Sequence, residues 1–364
     1  MCDNRSTMAS LHQRVGQLAI VGFKGVAVPV ELRSLVREFD LGGVILFARN
    51  VEAPDQVAEI GREIRSLSRD LPIWVSVDQE GGRVARLKRP FTEWPPMATL
   101  GRSGDERLAE RFARALGREL RAVGISLDYA PVLDVRTNPA NTVIGDRALD
   151  DRADVVSRLG ATIIRALQDE GVASCGKHFP GHGDTLADSH DDLPVVEHPL
   201  DRLRAVELAP FRAAIDAGVA AIMTAHVLVP SVDEERPATL SPAIVTRLLR
   251  EELQFSGAIL SDDLQMKAIA DQYPVGRAAV AAVAAGCDGV LICGPDQGAQ
   301  AAALEAIVRA VEAGEIPHAR FDDALWRQRR QKDRFLTRAA PADLRAALGR
   351  DEHQAIADDM ARFL

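Results

Sequence analysis

The densest reactive stretch of the chain is Lys177–His190, KHFPGHGDTLADSH, with three histidines, two aspartates and a lysine in fourteen residues. Pro180, Gly181 and Gly183 break any regular helix through its first half, so the segment reads as a loop. A loop this rich in ionisable groups points to chemistry rather than connection. Asp188 and His190 stand two apart, and in an extended backbone their side chains project to the same side. A carboxylate so placed accepts a hydrogen bond from the imidazole, fixes its tautomer and raises its basicity, which a general acid/base requires. The alternative is an Asp–His pair in a solvated turn, and these two residues alone do not choose between them. A metal site built from His178, His182, Asp184, Asp188 and His190 is a third reading. The Phe-Pro-Gly between His178 and His182 cannot be helical, so that i, i+4 pair does not converge as it would in a zincin, and no Glu takes the place of the zincin base. No metal is expected.

Asp262 and Asp263 form a second focus. They end an apolar run, where adjacent acids cost repulsion and desolvation. Strand alternation predicts that only one of them faces a pocket, and periodicity does not say which.

These groups must be positioned by the elements around them. Eight apolar runs rich in Val, Ile, Leu and Ala read as strands buried on both faces: Gln17–Phe23, Gly43–Phe47, Pro72–Asp78, Ile125–Val135, Val172–His178, Ala220–His226, Gly257–Asp262 and Asp288–Cys293. Helical spacing separates them, most clearly in Val57–Leu67, Glu106–Val123, Val155–Glu170, Leu203–Ala217, Pro242–Leu253 and Val275–Ala285. Gly124, Gly171, Gly218 and Gly286 stand where helices would end and strands begin. Eight such alternations predict a single closed (β/α)₈ barrel over about residues 11–315. The helical stretches about Arg320–Leu336 and Pro341–Leu364 predict a C-terminal helical extension over about 316–364, within one domain spanning 1–364. Such barrels carry function at the C-terminal ends of their strands. Polar residues do follow the runs: Asp78-Gln79-Glu80, Lys177-His178, Thr224-Ala225-His226, Ser261-Asp262-Asp263 and Gly294-Pro295-Asp296. Together they predict one polar pocket at one rim.

Composition bounds the partners. The chain has 364 residues, 47% of them hydrophobic, and a formal net charge of −9 without a Lys/Arg-rich run, which argues against nucleic acid. No window approaches the ~20 apolar residues that span a bilayer, and Met1–Thr7 opens no apolar signal segment. A cytoplasmic protein is the expectation, with no membrane partner and a monomer as the default. Cys175, Cys287 and Cys293 fall in apolar segments and are expected as reduced, buried thiols.

Four segments carry a resemblance to a known family: VDQEGGRVARL (Val77–Leu87), IGDRAL (Ile144–Leu149), KHFPGHGDTLADSH and LSDDLQM (Leu260–Met266). The chain resembles glycoside hydrolase family 3, specifically its bacterial β-N-acetylglucosaminidases of cell-wall recycling. The similarity runs through nearly the whole chain, and the KHFPGHGDT…DSH loop separates this branch from the β-glucosidases. The resemblance implies that Asp262 is the nucleophile, His190 the acid/base and Asp188 its partner. It also implies that Asp78, Arg86, Arg147, Lys177 and His178 hold a terminal N-acetylglucosamine. Asp134, Arg83 and His182 are expected to support these groups from behind. Ala148 and Leu149 depart from the Ser-Phe that commonly follows the arginine, which bears on how that loop packs. The implied reaction is retaining hydrolysis without a cofactor, acting on N-acetylglucosaminyl-anhydromuramyl fragments. A phosphorylase on the same scaffold and a non-catalytic sugar-binding protein are the alternatives.

Overall fold

The computed structural model describes residues 10–69, 71–185, 193–336, 344 and 347–364. The chain runs through α1 (Leu11–Gly16), β1 (Ala19–Val21), α2 (Val30–Phe39), β2 (Gly43–Leu46), α3 (Pro54–Leu67) and β3 (Trp74–Val77). It continues through α4 (Ala98–Ser103), α5 (Glu106–Ala122), β4 (Leu127–Asp128), α6 (Ala153–Asp169) and β5 (Ala173–Phe179). Then come α7 (Leu200–Ala205), α8 (Ala209–Asp216), β6 (Ala221–Thr224), a π-helical segment (Ala243–Glu252) and β7 (Ala258–Asp263). The last elements are α9 (Lys267–Ala270), α10 (Val275–Ala285), β8 (Gly289–Ile292), α11 (Gln297–Glu312), α12 (His318–Phe335) and α13 (Asp351–Ala361).

All eight strands pair in parallel in chain order, and β8 closes on β1 through Ile20–Leu291 and its neighbours. The predicted barrel is therefore present, and each apolar run overlaps its strand, with β5 and β7 each running one residue further, to Phe179 and Asp263. The strands are buried because they carry apolar side chains toward both faces. Ile20, Ile45, Trp74, Leu127, Leu260 and Leu291 fill the inside, while a larger apolar layer lies between the strands and the surrounding helices. In α5, Leu108, Phe112, Leu116 and Leu120 recur every fourth position and are all buried, and Asp105 caps the helix by accepting from the Arg107 and Leu108 amides. Gly171 and Gly286 end their helices at φ 90° and 124°, a region closed to most side chains. A Cβ at Gly286 would also come within 2.5 Å of Thr246 Oγ1.

The predicted single helix 203–217 is instead two, α7 and α8. Pro210 has no N–H to donate and so fits only a first helical turn, which forces a new start at Leu208. The segment expected as Pro242–Leu253 winds as a π-helix, and α1, α2, α4 and α9 were not anticipated. Of the stretch 341–364, the described helix is Asp351–Ala361. Cys175, Cys287 and Cys293 are buried and free.

The two mouths of the barrel differ. α12 crosses the N-terminal mouth, inserting Phe335 into the interior cluster and pairing Gln328 with Trp74 Nε1 at 3.4 Å and with the Asp288 carbonyl at 3.1 Å. Lys332 lies wholly buried beside them, its Nζ donating to Gln17 Oε1 at 2.7 Å. Burial pushes this amine down to about 7, against the pull of Asp40. An amine with a folded pKa below its unfolded value of ~10.4 binds fewer protons folded than unfolded between the two, so stability rises with pH across that window. Lys332→Met lacks the effect. The melting temperature of wild type minus that of the variant should therefore climb from about pH 7 to about pH 10. A flat difference would show that the amine keeps its proton in the folded protein.

Candidate active site

With α12 across one mouth, the cavity opens at the other, where the strands end. Its volume is about 210 Å³. Pockets for drug-sized ligands run ~300–1,000 Å³, so this one suits a single sugar-sized ring rather than a chain of them. Asp78 follows β3, Glu80 and Arg86 lie on the loop beyond it, and Arg147 lies on a 3₁₀ turn (Gly145–Arg147) between β4 and α6. Lys177 and His178 belong to β5, and Asp262 and Asp263 end β7.

The floor is a network of alternating charges. Lys177 Nζ lies 2.6 Å from Asp78 Oδ1 and 2.6 Å from Glu80 Oε1. Arg147 grips Glu80 with two hydrogen bonds of 2.8 Å, through Nε and Nη2. Arg86 Nη2 stands 3.6 Å from Asp78 Oδ2. Burial would push the Glu80 carboxyl up, but the charges of Arg147 and Lys177 and the hydrogen bonds from both hold it well below the usual carboxylate range. Burial would likewise lower Lys177, and Asp78 and Glu80 raise it instead. Glu80 and Lys177 are thus held in their charged forms by their partners. Beside them Asp134, fully buried, receives His178 Nδ1 at 2.7 Å and the His182 amide at 2.7 Å. Since Asp134 takes Nδ1–H, His178 presents Nε2 to the cavity side, 3.5 Å from Arg147 Nη2.

Asp262 and Asp263 both line the cavity, contrary to the expectation that one would turn away. The strict alternation fails because the β7–β8 register shifts between Leu260 and Asp263. Their surroundings separate them. Asp262 Oδ1 accepts from the Asp263 amide at 2.8 Å. Burial raises its pKa, but His226 and His178, with that amide and Lys177, bring it below the usual value. Asp263 Oδ1 is held by the amides of Gln265 at 3.1 Å and Cys293 at 3.0 Å, and burial pushes its carboxyl up to about 6. Two adjacent acids with pKa values driven apart can take different roles.

A profile of the glycosyl hydrolase family 3 N-terminal domain matches residues 10–330. The chain belongs to glycosyl hydrolase family 3. A beta-hexosaminidase from Thiobacillus denitrificans is 43% identical over 259 residues, 70% of this chain and 71% of that protein. Among solved structures, a family 3 beta-N-acetylglucosaminidase from Paenibacillus sp. superposes with a TM-score of 0.94 at 43% identity, covering 98% of this chain and 69% of that one. NagZ from Neisseria gonorrhoeae, in complex with N-trifluoroacetyl-D-glucosamine, superposes at 0.78 and 32%, covering 95% and 97%. The protein is a glycoside hydrolase.

Of the site residues expected in this family 3 enzyme, Asp78, Arg86, Arg147, Lys177, His178 and Asp262 line the one cavity. Asp188 and His190 lie outside the described residues. Arg83, expected in support, donates its guanidinium to the carbonyls of Thr142 and Ile144 and ties the loop after β3 to the loop after β4. His182, expected only in support, itself lines the cavity, with Nδ1 2.7 Å from Thr185 Oγ1. Ala148 and Leu149, the departures beside Arg147, are both buried, so this loop is anchored by small and aliphatic packing. Glu80, named in the sequence only as one of the polar residues at the rim, lines the cavity and joins Lys177 to Arg147. Glu80 stands two positions after Asp78, the spacing that puts side chains on one side of an extended chain, and that signal could have found it.

Proposed function

We propose that this enzyme is an exo-acting, retaining β-N-acetylglucosaminidase that removes terminal non-reducing N-acetylglucosamine from muropeptide-type cell-wall fragments. The observation that carries the reading is one sugar-sized cavity in which an ionised Asp262 faces a floor of fixed charges. Asp78, Arg86, Arg147, Lys177 and His178 bind the sugar hydroxyls by charge-assisted hydrogen bonds, which are strong and directional. Asp262 attacks the anomeric carbon, forming a glycosyl ester as the bond to the leaving oxygen breaks. His190 gives its proton to that oxygen, then takes one from the water that cleaves the ester, so Asp262 returns as a carboxylate and the β configuration is kept. Asp188 aims the imidazole and stabilises its charge. No step calls for a metal or cofactor. The protein works in the cytoplasm as a monomer of one domain, the barrel at about 11–315 and its helical extension at 316–364. Among the described residues no helix is long and apolar enough to cross a membrane.

One experiment tests the reading: aryl β-N-acetylglucosaminides with good and poor leaving groups, beside the matching β-glucoside, given to wild type and His190→Ala without phosphate. Wild type should hydrolyse only the N-acetyl substrates. The variant should lose about 10²–10⁴-fold on the poor leaving group and much less on the good one. Equal losses on both would remove His190 from the acid role, and a requirement for phosphate with release of sugar 1-phosphate would make the enzyme a phosphorylase.

A further inference from the structure

His226 follows β6 and has no part in the reaction just described, yet it is 1% exposed and packed against the end of β7. Its Nε2 lies 2.9 Å from the Asp263 carbonyl oxygen, which can only accept, so Nε2 carries a proton. Its Nδ1 lies 2.8 Å from Thr239 Oγ1. That hydroxyl has two outlets. It can donate to Nδ1, or it can turn to the Ala225 carbonyl at 3.0 Å and accept from a protonated Nδ1. The imidazole is therefore satisfied at both nitrogens whether neutral or charged.

The residue that His226 holds is the one that serves Asp262. Asp263 donates its amide to Asp262 Oδ1 at 2.8 Å, while its own carboxyl is tied to the amides of Gln265 and Cys293. Its carbonyl is fixed by His226 at 2.9 Å and by the Met266 amide at 3.0 Å. We propose that His226 is a positioning residue for the nucleophile: it fixes Asp263 so that the Asp263 amide meets the Asp262 carboxylate. The inference rests on the reading of Asp262 as nucleophile. Among the described residues, the charged and titratable groups that act on Asp262 include His226 from the end of β6, His178 and Lys177 from β5, and Asp263 beside it. The Asp263 amide that His226 orients is among the groups that hold the Asp262 carboxyl below its usual value against burial.

The test uses wild type, His226→Gln and His226→Phe, with pH profiles of kcat/KM on an aryl β-N-acetylglucosaminide and labelling by a slow fluorosugar substrate. His226→Phe has neither donor nor charge. Its kcat/KM should fall about tenfold, less than the ~10²–10³ lost with a donor that touches the reacting oxygen, because His226 acts one residue removed. With the Asp263 amide no longer held against Asp262, the carboxylate loses a hydrogen bond to its charged form, so the acid limb of the profile should move to higher pH. His226→Gln keeps an N–H for the Asp263 carbonyl. It should recover most of the rate and return the acid limb toward the wild-type position, a joint rescue that a merely structural role would not give. If the Phe variant does not fold, His226→Ala, smaller and likewise without the donor, takes its place; a donorless variant with wild-type rate and profile overturns the proposal, as does a Gln variant that recovers neither. Label on Asp263 instead of Asp262 in the wild type would refute the nucleophile itself. Label on Asp262 with unshifted profiles would refute only the role of His226.

Discussion

Asp262→Ala should lose about 10⁴–10⁶-fold in kcat on aryl β-N-acetylglucosaminides, the scale seen when a covalent nucleophile is removed, while still folding cooperatively. The loss is large because no neighbour can take over. Asp263 lines the same cavity, but its carboxyl is engaged by the Gln265 and Cys293 amides and is pushed up to about 6, leaving it a poor nucleophile near that pH. Asp263→Asn, which keeps an oxygen for those amides, should therefore lose far less. Truncation at 262 also opens space beside the anomeric carbon. A small anion such as azide should enter it and restore turnover of activated substrates, giving the α-glycosyl azide. The measurement is the kcat of both variants with and without azide, with the product's configuration read by NMR. Wild-type-like turnover in Asp262→Ala together with an inactive Asp263→Asn would reverse the assignment of the two acids.

The barrel was legible because its strands are short, wholly buried and bounded by polar residues. Ile20, Val75 and Leu291 each sit in a run with no polar side to hide, and Gly171 and Gly286 mark where helices must stop. What escaped were features set by exceptions to periodicity. Pro210 divides a continuous helical pattern, and a register shift brings both Asp262 and Asp263 to the cavity. The site was legible as residue types at strand ends, and six of the eight expected residues do share one cavity. Their partners were not. Lys177 meets Asp78 from 99 positions away and Arg147 meets Glu80 from 67, so the pairing depends on barrel closure and on loops that no local spacing encodes. The same holds for Asp134 beneath His178, 44 positions apart. Supporting residues are hard to read from sequence for a physical reason: they act on a neighbour in space, whereas a nucleophile at a strand end declares itself by position.

Glu80 is where that difference has its largest expected consequence. Its side chain is 1% exposed and lies between Lys177 and Arg147, so Glu80→Gln removes the one carboxylate that both cations contact among the described residues, leaving Lys177 with Asp78. Removing one member of a buried pair costs about 3–5 kcal/mol, because the charge left behind stays desolvated. The glutamine oxygen still accepts one hydrogen bond, which places the expected loss near the lower end of that range. The pH dependence follows from the directions of the two shifts. Glu80 is depressed, so its contribution is present above its unfolded value of ~4.3 and lost as pH falls below it; Lys177 is raised, so its contribution is present below ~10.4 and lost as pH rises beyond it. The stability difference between wild type and Glu80→Gln, from denaturant titrations, should therefore form a plateau between these limits and shrink outside them. Activity should fall as well, by about 10² in kcat/KM, since a displacement of an ångström in groups that orient the sugar costs that much. Glu80→Asp separates the two effects. It restores the charge but not the reach to both cations, so it should recover most of the stability and little of the rate. If Glu80→Asp regained both together, the fixed geometry of Lys177 and Arg147 would not be what the reaction needs from this residue.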